Sequence, residues 1–338
     1  MMRVWWVVLA AFWLASCAGS PPQPAVDDAP DERPDAEVLE AADGTRLPLH
    51  RWGPEEPRRV ALALHGFNDH GGSMAALGEA LAEHEIAVYA FDQRGFGANR
   101  DIGRWAGYQT MAEDARTGLR ILAERYPDNP PYLIGKSMGG AVALVAATGE
   151  DPPPMRGTAL ISPAVWSRDQ MPWYQRFGLW VGARIAPGMR LTGEMAAEFD
   201  IRPTDDPAVL EQMRDDPLVL RDARIDALDG LTTLMGRALS AGGTLPAPSL
   251  LLYGAKDDLV PPGPTAVLAE HLAATGDPGH RMVLYPEGYH MLTRYTRSAD
   301  TFGDLVAWML DPEPNLPSGH ERAPETMVQN LQELDTQR

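Results

Sequence analysis

The stretch Tyr132-Leu133-Ile134-Gly135-Lys136-Ser137-Met138-Gly139-Gly140 decides how this chain is read. Three apolar residues make a short strand, Gly135 to Gly139 spells G-x-S-x-G, and small residues then run on as a helix to Ala147. A serine on a tight strand-to-helix turn needs glycine on both sides, because backbone passes where a Cβ would clash. Such a turn lifts the hydroxyl above the carboxyl edge of a sheet. The following helix aims the positive end of its dipole at any negative charge developing there. Ten serines and 32 glycines in 338 residues supply roughly 0.1 such matches from composition alone, so the strand–turn–helix setting carries the reading.

Outward from this turn, apolar strands alternate with helical patterns. Residues 60–64, 86–91 and 158–162 are short buried-strand runs, and 74–85 and 109–125 have helical spacing, the latter through Met111, Ala115, Leu119 and Leu122. Residues 38–52 read as a hairpin turning at Asp43-Gly44. The alternation stops over residues 165–246, a mainly helical stretch with Trp166, Trp173, Tyr174, Phe177 and Trp180. It resumes with strands at 249–253 and 282–285 and helices near 264–274 and 298–310. The expected architecture is α/β: a mostly parallel sheet with helices on both faces, formed by residues 37–164 and 247–310, with 165–246 inserted as a helical cap. No internal repeat is found.

A serine hydroxyl needs a base to take its proton and an acid to hold that base in the right tautomer. In this architecture the chain order is serine, acid, histidine. Beyond Ser137, His271 falls in a predicted helix, His280 just before a strand and His320 in the tail; His290, in Gly288-Tyr289-His290, lies in a loop past a strand end, where open α/β sheets build their sites. His290 is therefore the candidate base. Gly254-Ala255-Lys256-Asp257-Asp258 follows the preceding strand, and either aspartate could reach the histidine; the G-x-x-D spacing favours Asp257. Residues 64–71, Leu-His-Gly-Phe-Asn-Asp-His-Gly, follow the third strand. A backbone N–H from this loop should join that of the residue after the serine, making Phe67 and Met138 the expected oxyanion donors and His65 and His70 supports of the loop. There is no H-E-x-x-H and no cysteine pair, which disfavours metal catalysis; Gly95-Phe96-Gly97 lacks the third glycine of a dinucleotide fingerprint. No cofactor is implied.

On HGFNDH (65–70), DQRGFG (92–97), GKSMGG (135–140), GAKDDLVP (254–261) and GYH (288–290), the chain resembles the monoglyceride lipase and lysophospholipase group of α/β hydrolases, also called serine aminopeptidase-like. The resemblance covers about residues 38–165 and 247–310. It implies the α/β-hydrolase fold, a triad of Ser137, Asp257 and His290, and oxyanion donors Phe67 and Met138; the expected activity is hydrolysis of carboxylic esters through an acyl-enzyme, with monoacylglycerol or lysophospholipid as the leading substrate class because a lipid anchor on Cys17 would keep the enzyme beside membrane lipid. Peptide or amide cleavage, or acyl transfer, on the same triad is the alternative, and a non-catalytic envelope lipoprotein is a third reading. The group commonly has glycine and glutamate where this chain has Asn68 and Asp69, and often histidine where it has Lys136. These departures remove no catalytic atom, but they weaken any transfer of glycerol-ester specificity. The insertion sits where the group places its cap; its aromatics are expected to pack the cap onto the core, with lining of an acyl tunnel as the alternative.

The two ends read differently from the body. Arg3 precedes an apolar run at 4–15, whose 12 residues are too few for a membrane-spanning helix of about 20 but fit a signal-peptide core. The run ends in Leu14-Ala15-Ser16-Cys17, which resembles the bacterial lipoprotein signal, in which the cysteine is lipidated and becomes the first mature residue. The expectation is a signal peptide at 1–16, a lipid on Cys17 and a Pro- and Asp-rich tether through residue 36, holding the protein to a membrane of the bacterial envelope. Ala18, rather than an acidic residue, implies the outer membrane by the enteric rule. Residues 311–338 read as a polar tail, although Met327, Leu331 and Leu334 are spaced for a short amphipathic helix. The net charge of −18 repels phosphate backbones and excludes nucleic acid as the expected partner.

Overall fold

Period-two burial turns the apolar runs into strands that serve two cores at once. The computed structural model describes residues 37–149, 151–192, 202–311 and 315–338. Strands β1 (Val38–Glu40) and β2 (Arg46–Trp52) form the expected hairpin, with Gly44 at φ +80° in its turn. Then come β3 (Arg59–Leu64), α1 (Ala75–Ala82), β4 (Ile86–Phe91), α2 (Tyr108–Arg125), β5 (Tyr132–Lys136), α3 (Met138–Ala147) and β6 (Gly157–Ile161). The insertion contributes α4 (Trp173–Ile185), β7 (Arg190–Thr192), α5 (Pro207–Asp215), β8 (Asp222–Arg224) and α6 (Ile225–Ala241). The chain closes with β9 (Ser249–Gly254), α7 (Pro262–Ala274), β10 (His280–Tyr285), α8 (Ser298–Leu310), β11 (Glu321–Arg322) and α9 (Pro324–Thr336).

The large sheet runs β1-β2-β4-β3-β5-β6-β9-β10-β11. β4, β3, β5, β6, β9 and β10 are mutually parallel, and antiparallel strands close both edges. Within β3, Val60, Leu62 and Leu64 face the core under α2, α3, α6, α7 and α9, while Ala61 and Ala63 face the core under α1 and α8. The direction of winding reverses between β3 and β5, and such a reversal opens a crevice beyond the strand ends. The parallel register pairs Leu64 with Gly135, so the residues after β3 and β5 leave the sheet side by side. Those residues are the loop with Phe67 and the turn with Ser137.

Among the described residues the cap's regular structure is helical apart from the two-stranded β7–β8 ribbon, and α6 ties it down by burying Leu234 and Ala238 in the main core. Trp166 packs against that core. The other aromatics depart from the expectation: Trp173, Tyr174, Phe177 and Trp180 are exposed, Trp173 at 67%. They occupy α4, which buries none of its residues. No helix among the described residues is long and apolar enough to cross a membrane. The signal, Cys17 and tether readings lie outside the described residues.

The expected polar tail is a correction. β11 adds antiparallel to β10, pairing Val283 with Glu321, and α9 packs on α7 with Met327 and Leu331 fully buried. The polar composition misled because a helix on a sheet edge needs only a narrow apolar stripe. Leu331→Ala is expected to cost about 2–5 kcal/mol in urea unfolding, the range for a buried leucine; a frayed tail would leave the midpoint unmoved.

Candidate active site

The turn after β5 has the geometry its glycines require. Ser137 stands at φ 54°, ψ −119°, a left-handed backbone that costs a non-glycine residue about 1–3 kcal/mol. Its N–H donates to Ile161 O at 3.0 Å, and its carbonyl accepts from Gly140 and Ala164, each at 2.9 Å. A Cβ on Gly139 would stand 2.2 Å from Leu64 O, and one on Gly135 2.4 Å from Gly139 O, so neither position admits a side chain. Ser137 thereby caps α3, whose first N–H belongs to Met138.

The loop after β3 lies against this turn. A Cβ on Gly66 would come within 3.5 Å of Ser137 Cβ. Among the described residues the Phe67 N–H has no acceptor. His65 holds the loop as expected: its Nδ1 donates to Gly66 O at 2.8 Å, while its Nε2 accepts from the Gln93 N–H at 2.9 Å. Both ring nitrogens are used in the neutral form, and burial pushes the imidazole's pKa down, so His65 has no lone pair left to act as a base.

Across the sheet, β9 and β10 place the acid and the histidine. Their register pairs Gly254 with Tyr285, and Lys256 N–H donates to Gly288 O at 2.8 Å, drawing the two following loops together. His290 Nδ1 donates to Asp257 Oδ2 at 2.8 Å. Asp257 is fully buried, and its other oxygen accepts from the Leu259 and Val260 N–H groups, both at 2.9 Å. Asp258, the alternative acid, is exposed and faces Arg338 at 3.9 Å. Of the two aspartates it is Asp257 that bonds His290, and the bond it accepts leaves His290 Nε2 as the acceptor. Ser137 follows β5 on the same carboxyl edge. Its hydroxyl has no hydrogen-bond partner among the described residues, a common state of such sites before substrate binds.

Two supports were not legible beforehand. Lys136 Nζ donates to Asp69 Oδ2 at 3.0 Å, and both side chains are buried. Two of the three positions where the chain departs from the group it resembles are therefore partners, Lys136 beside the serine and Asp69 in the loop after β3. Burial works against ionising Asp69, but the Lys136 ammonium prevails and holds the carboxyl at about 2. A buried charge just before the serine needs a partner, which was the available signal. Arg338 gave none: from the end of the chain it donates to the carbonyls of Asp257 and Ala255, while Asp335 accepts from Gly263 N–H at 3.0 Å, so the C-terminal helix braces the acid's loop.

Asp69→Asn would leave Lys136 buried and unpaired, at an expected cost of about 3–5 kcal/mol at pH 7. The folded carboxyl titrates at about 2, below its ordinary 3.8, so its contribution is complete above pH 4 and is lost as pH falls through about 2. Urea unfolding at stepped pH should show wild type and variant converging only below pH 4.

Residues 55–295 match the family model Hydrolase_4, described as serine aminopeptidase, S33. A monoacylglycerol lipase of Mycolicibacterium smegmatis is 28% identical over 275 residues, covering 79% of this chain and 94% of its own length. A human monoglyceride lipase is 27% identical over 256 residues, covering 74% of this chain and 82% of its own. Among solved structures, a monoacylglycerol lipase of Paleococcus ferrophilus superposes with a TM-score of 0.64 at 24% identity, covering 79% of this chain and 99% of that one. A soluble variant of Saccharomyces cerevisiae monoglyceride lipase in complex with a substrate analog gives 0.67 at 20% identity, covering 83% and 96%. At these identities the structures establish the α/β-hydrolase fold. The model match spans most of the chain, and by it the chain belongs to the Hydrolase_4 (serine aminopeptidase, S33) family.

Proposed function

We propose that this chain hydrolyses carboxylic esters of lipids, monoacylglycerols or lysophospholipids, through an acyl-enzyme on Ser137. The observation that carries the reading is the 2.8 Å bond between buried Asp257 and His290 on the sheet edge that also bears the strained Ser137 turn. In this mechanism Ser137 Oγ attacks the ester carbonyl and His290 Nε2 takes its proton. Asp257 stabilises the imidazolium. The N–H groups of Phe67 and Met138 donate to the oxyanion, each worth about 2.7–4 kcal/mol in the transition state. His290 then protonates the departing alcohol, and water, activated by the same histidine, releases the acid.

Two observations support lipid as the substrate class. The similar curated proteins are named for monoacylglycerol or monoglyceride lipase activity. Helix α4 also turns Trp173, Tyr174, Phe177 and Trp180 outward beside Arg176 and Arg184. Residues 171–192 contain no Asp or Glu although the whole chain carries −18. An aromatic and basic surface of this kind suits a lipid–water interface. In this reading a lipid on Cys17 and the tether through residue 36 keep the enzyme at the envelope membrane, the outer membrane by the identity of Ala18. The family's description favours one competing reading, peptide cleavage on the same residues.

Fluorophosphonate labelling and hydrolysis of monoacylglycerol, lysophospholipid and peptide p-nitroanilides test these readings together. Labelling should vanish in Ser137→Ala, and ester turnover should fall about 10⁴-fold in Asp257→Asn with the fold intact. Labelling that survives Ser137→Ala would remove the proposed nucleophile. Anilide turnover exceeding ester turnover would favour the peptidase reading. The anchor has its own test: palmitate should be incorporated into the full chain expressed in bacteria and be absent from Cys17→Ser, whereas equal incorporation would place the lipid elsewhere.

A further inference from the structure

A second cluster of chemistry-bearing side chains lies on the far side of the oxyanion loop, where β2, that loop and the end of β4 meet. It consists of His50, His70 and Asp92. One ligand-capable atom from each lies within 4.8 Å of the others. None of the three is used by the proposed reaction.

The hydrogen bonding of this cluster is incomplete. His70 is nearly enclosed, its side chain 8% exposed, and its Nε2 lies 3.0 Å from Asp216 Oδ2. A carboxylate only accepts, so Nε2 carries the hydrogen and Nδ1 is left with a bare lone pair. That Nδ1 is buried and has no partner among the described residues. His50 Nε2 is also buried with no hydrogen bond among the described residues; it stands 3.5 Å from Asp92 Oδ1, an ion-pair distance when the imidazole is protonated. Asp92 is fully buried, yet each oxygen accepts only one strong bond, from Gly71 N–H at 2.7 Å and from Ala98 N–H at 2.8 Å. Each keeps a lone pair. Two imidazole nitrogens without hydrogen bonds and a carboxylate, their ligand atoms within 4.8 Å of one another, form an acceptor-rich cluster suited to an electropositive centre.

The geometry and surroundings suit a metal ion. Tetrahedral zinc, with bonds of about 2.0–2.1 Å, sets its ligand atoms about 3.4 Å apart; His50 Nε2 and Asp92 Oδ1 stand 3.5 Å apart, and the three ligand atoms, within 4.8 Å of one another, close to that spacing as the ion binds. The Asp216 carboxylate behind His70 is the outer partner that metal-bound imidazoles usually have; it fixes the tautomer that turns the lone pair inward. Gly72 keeps the space open, since a Cβ there would stand 3.0 Å from His70 Nδ1 and 3.3 Å from His50 Cε1. A groove of about 820 Å³ reaches His70 between the loop and α5, and Glu211, Asp215 and Asp216 line it, a field that draws cations.

We infer that His50 Nε2, His70 Nδ1 and Asp92 bind a divalent transition metal of the zinc class, with water in the fourth position. The ion fastens the oxyanion loop to the sheet and, through Asp216, to the cap. It takes no part in the chemistry at Ser137. Its place is set by the loop itself: His70 follows Asp69, whose carboxylate holds the lysine preceding the serine.

The test is a zinc chloride titration of the full chain, stripped with chelator and kept in detergent, against a chromophoric zinc competitor, with thermal unfolding followed in parallel. One equivalent should bind and raise the melting temperature. His50→Gln and His70→Gln should each weaken binding at least tenfold, and Asp216→Asn by about tenfold, while exposed His84→Gln and the triad variant His290→Ala leave it unchanged. Cobalt in place of zinc should give the visible absorption of a tetrahedral nitrogen and oxygen site, lost in His50→Gln. If His70→Gln does not fold, His50→Gln decides, because that side chain is 36% exposed and lies outside the loop. Absence of a stoichiometric site, or binding and melting unchanged in His50→Gln, would overturn the inference and leave a bridging water as the occupant.

Discussion

The left-handed turn at Ser137 is the constraint on which the rest of the structure depends. A serine holds φ 54° only where its surroundings over-determine it. Here β6 supplies an acceptor for its N–H, α3 and the start of the cap supply donors for its carbonyl, and β3 presses its backbone against Gly139. The parallel register of β3 and β5 then follows from the close approach, since a side chain at residue 139 would force the strands apart. The oxyanion loop beside the serine is a consequence of that register, because the residues after Leu64 and Gly135 have nowhere else to go.

Around this turn the chain carries a buried charge pair. Lys136 and Asp69 are separated along the chain by two strands and two helices, but their side chains meet at 3.0 Å. A buried pair is costly to desolvate and contributes stability only when its geometry is good, so it is better regarded as a device that fixes one loop position. The same loop holds Asn68 through Leu220 N–H and Asp222 O, both belonging to the cap side, and His70 through Asp216. Cap and loop are thus fastened at two residues, Asn68 and His70, on either side of the Asp69 that holds Lys136.

The helix α4 and the C-terminal segment illustrate opposite errors of composition. Aromatic residues in the cap read as packing material, yet on α4 they face outward, because α6 enters the main core while α4 packs on α6 and buries none of its own residues. The segment after residue 311 reads as too polar to pack, yet Met327 and Leu331 are enough to seat a helix against α7 and bring Arg338 to the carbonyls of the acid's loop. In both cases the deciding quantity was what lay opposite the element, and composition does not contain that.

What the sequence by itself determined was local. The G-x-S-x-G turn, the alternation of strands and helices, the position of the insertion and the candidates Ser137, Asp257 and His290 were legible, because hydrophobic period and glycine sterics act over a few residues. Spacing only leaned toward Asp257 over Asp258; the tertiary structure buries Asp257 against His290 and leaves Asp258 exposed. The Lys136–Asp69 pair, the brace from Arg338 and the His50–His70–Asp92 cluster were decided by tertiary structure alone. Each joins residues from different elements, and burial in a common space, which no spacing along the chain records, is what makes a charge or a lone pair require its partner.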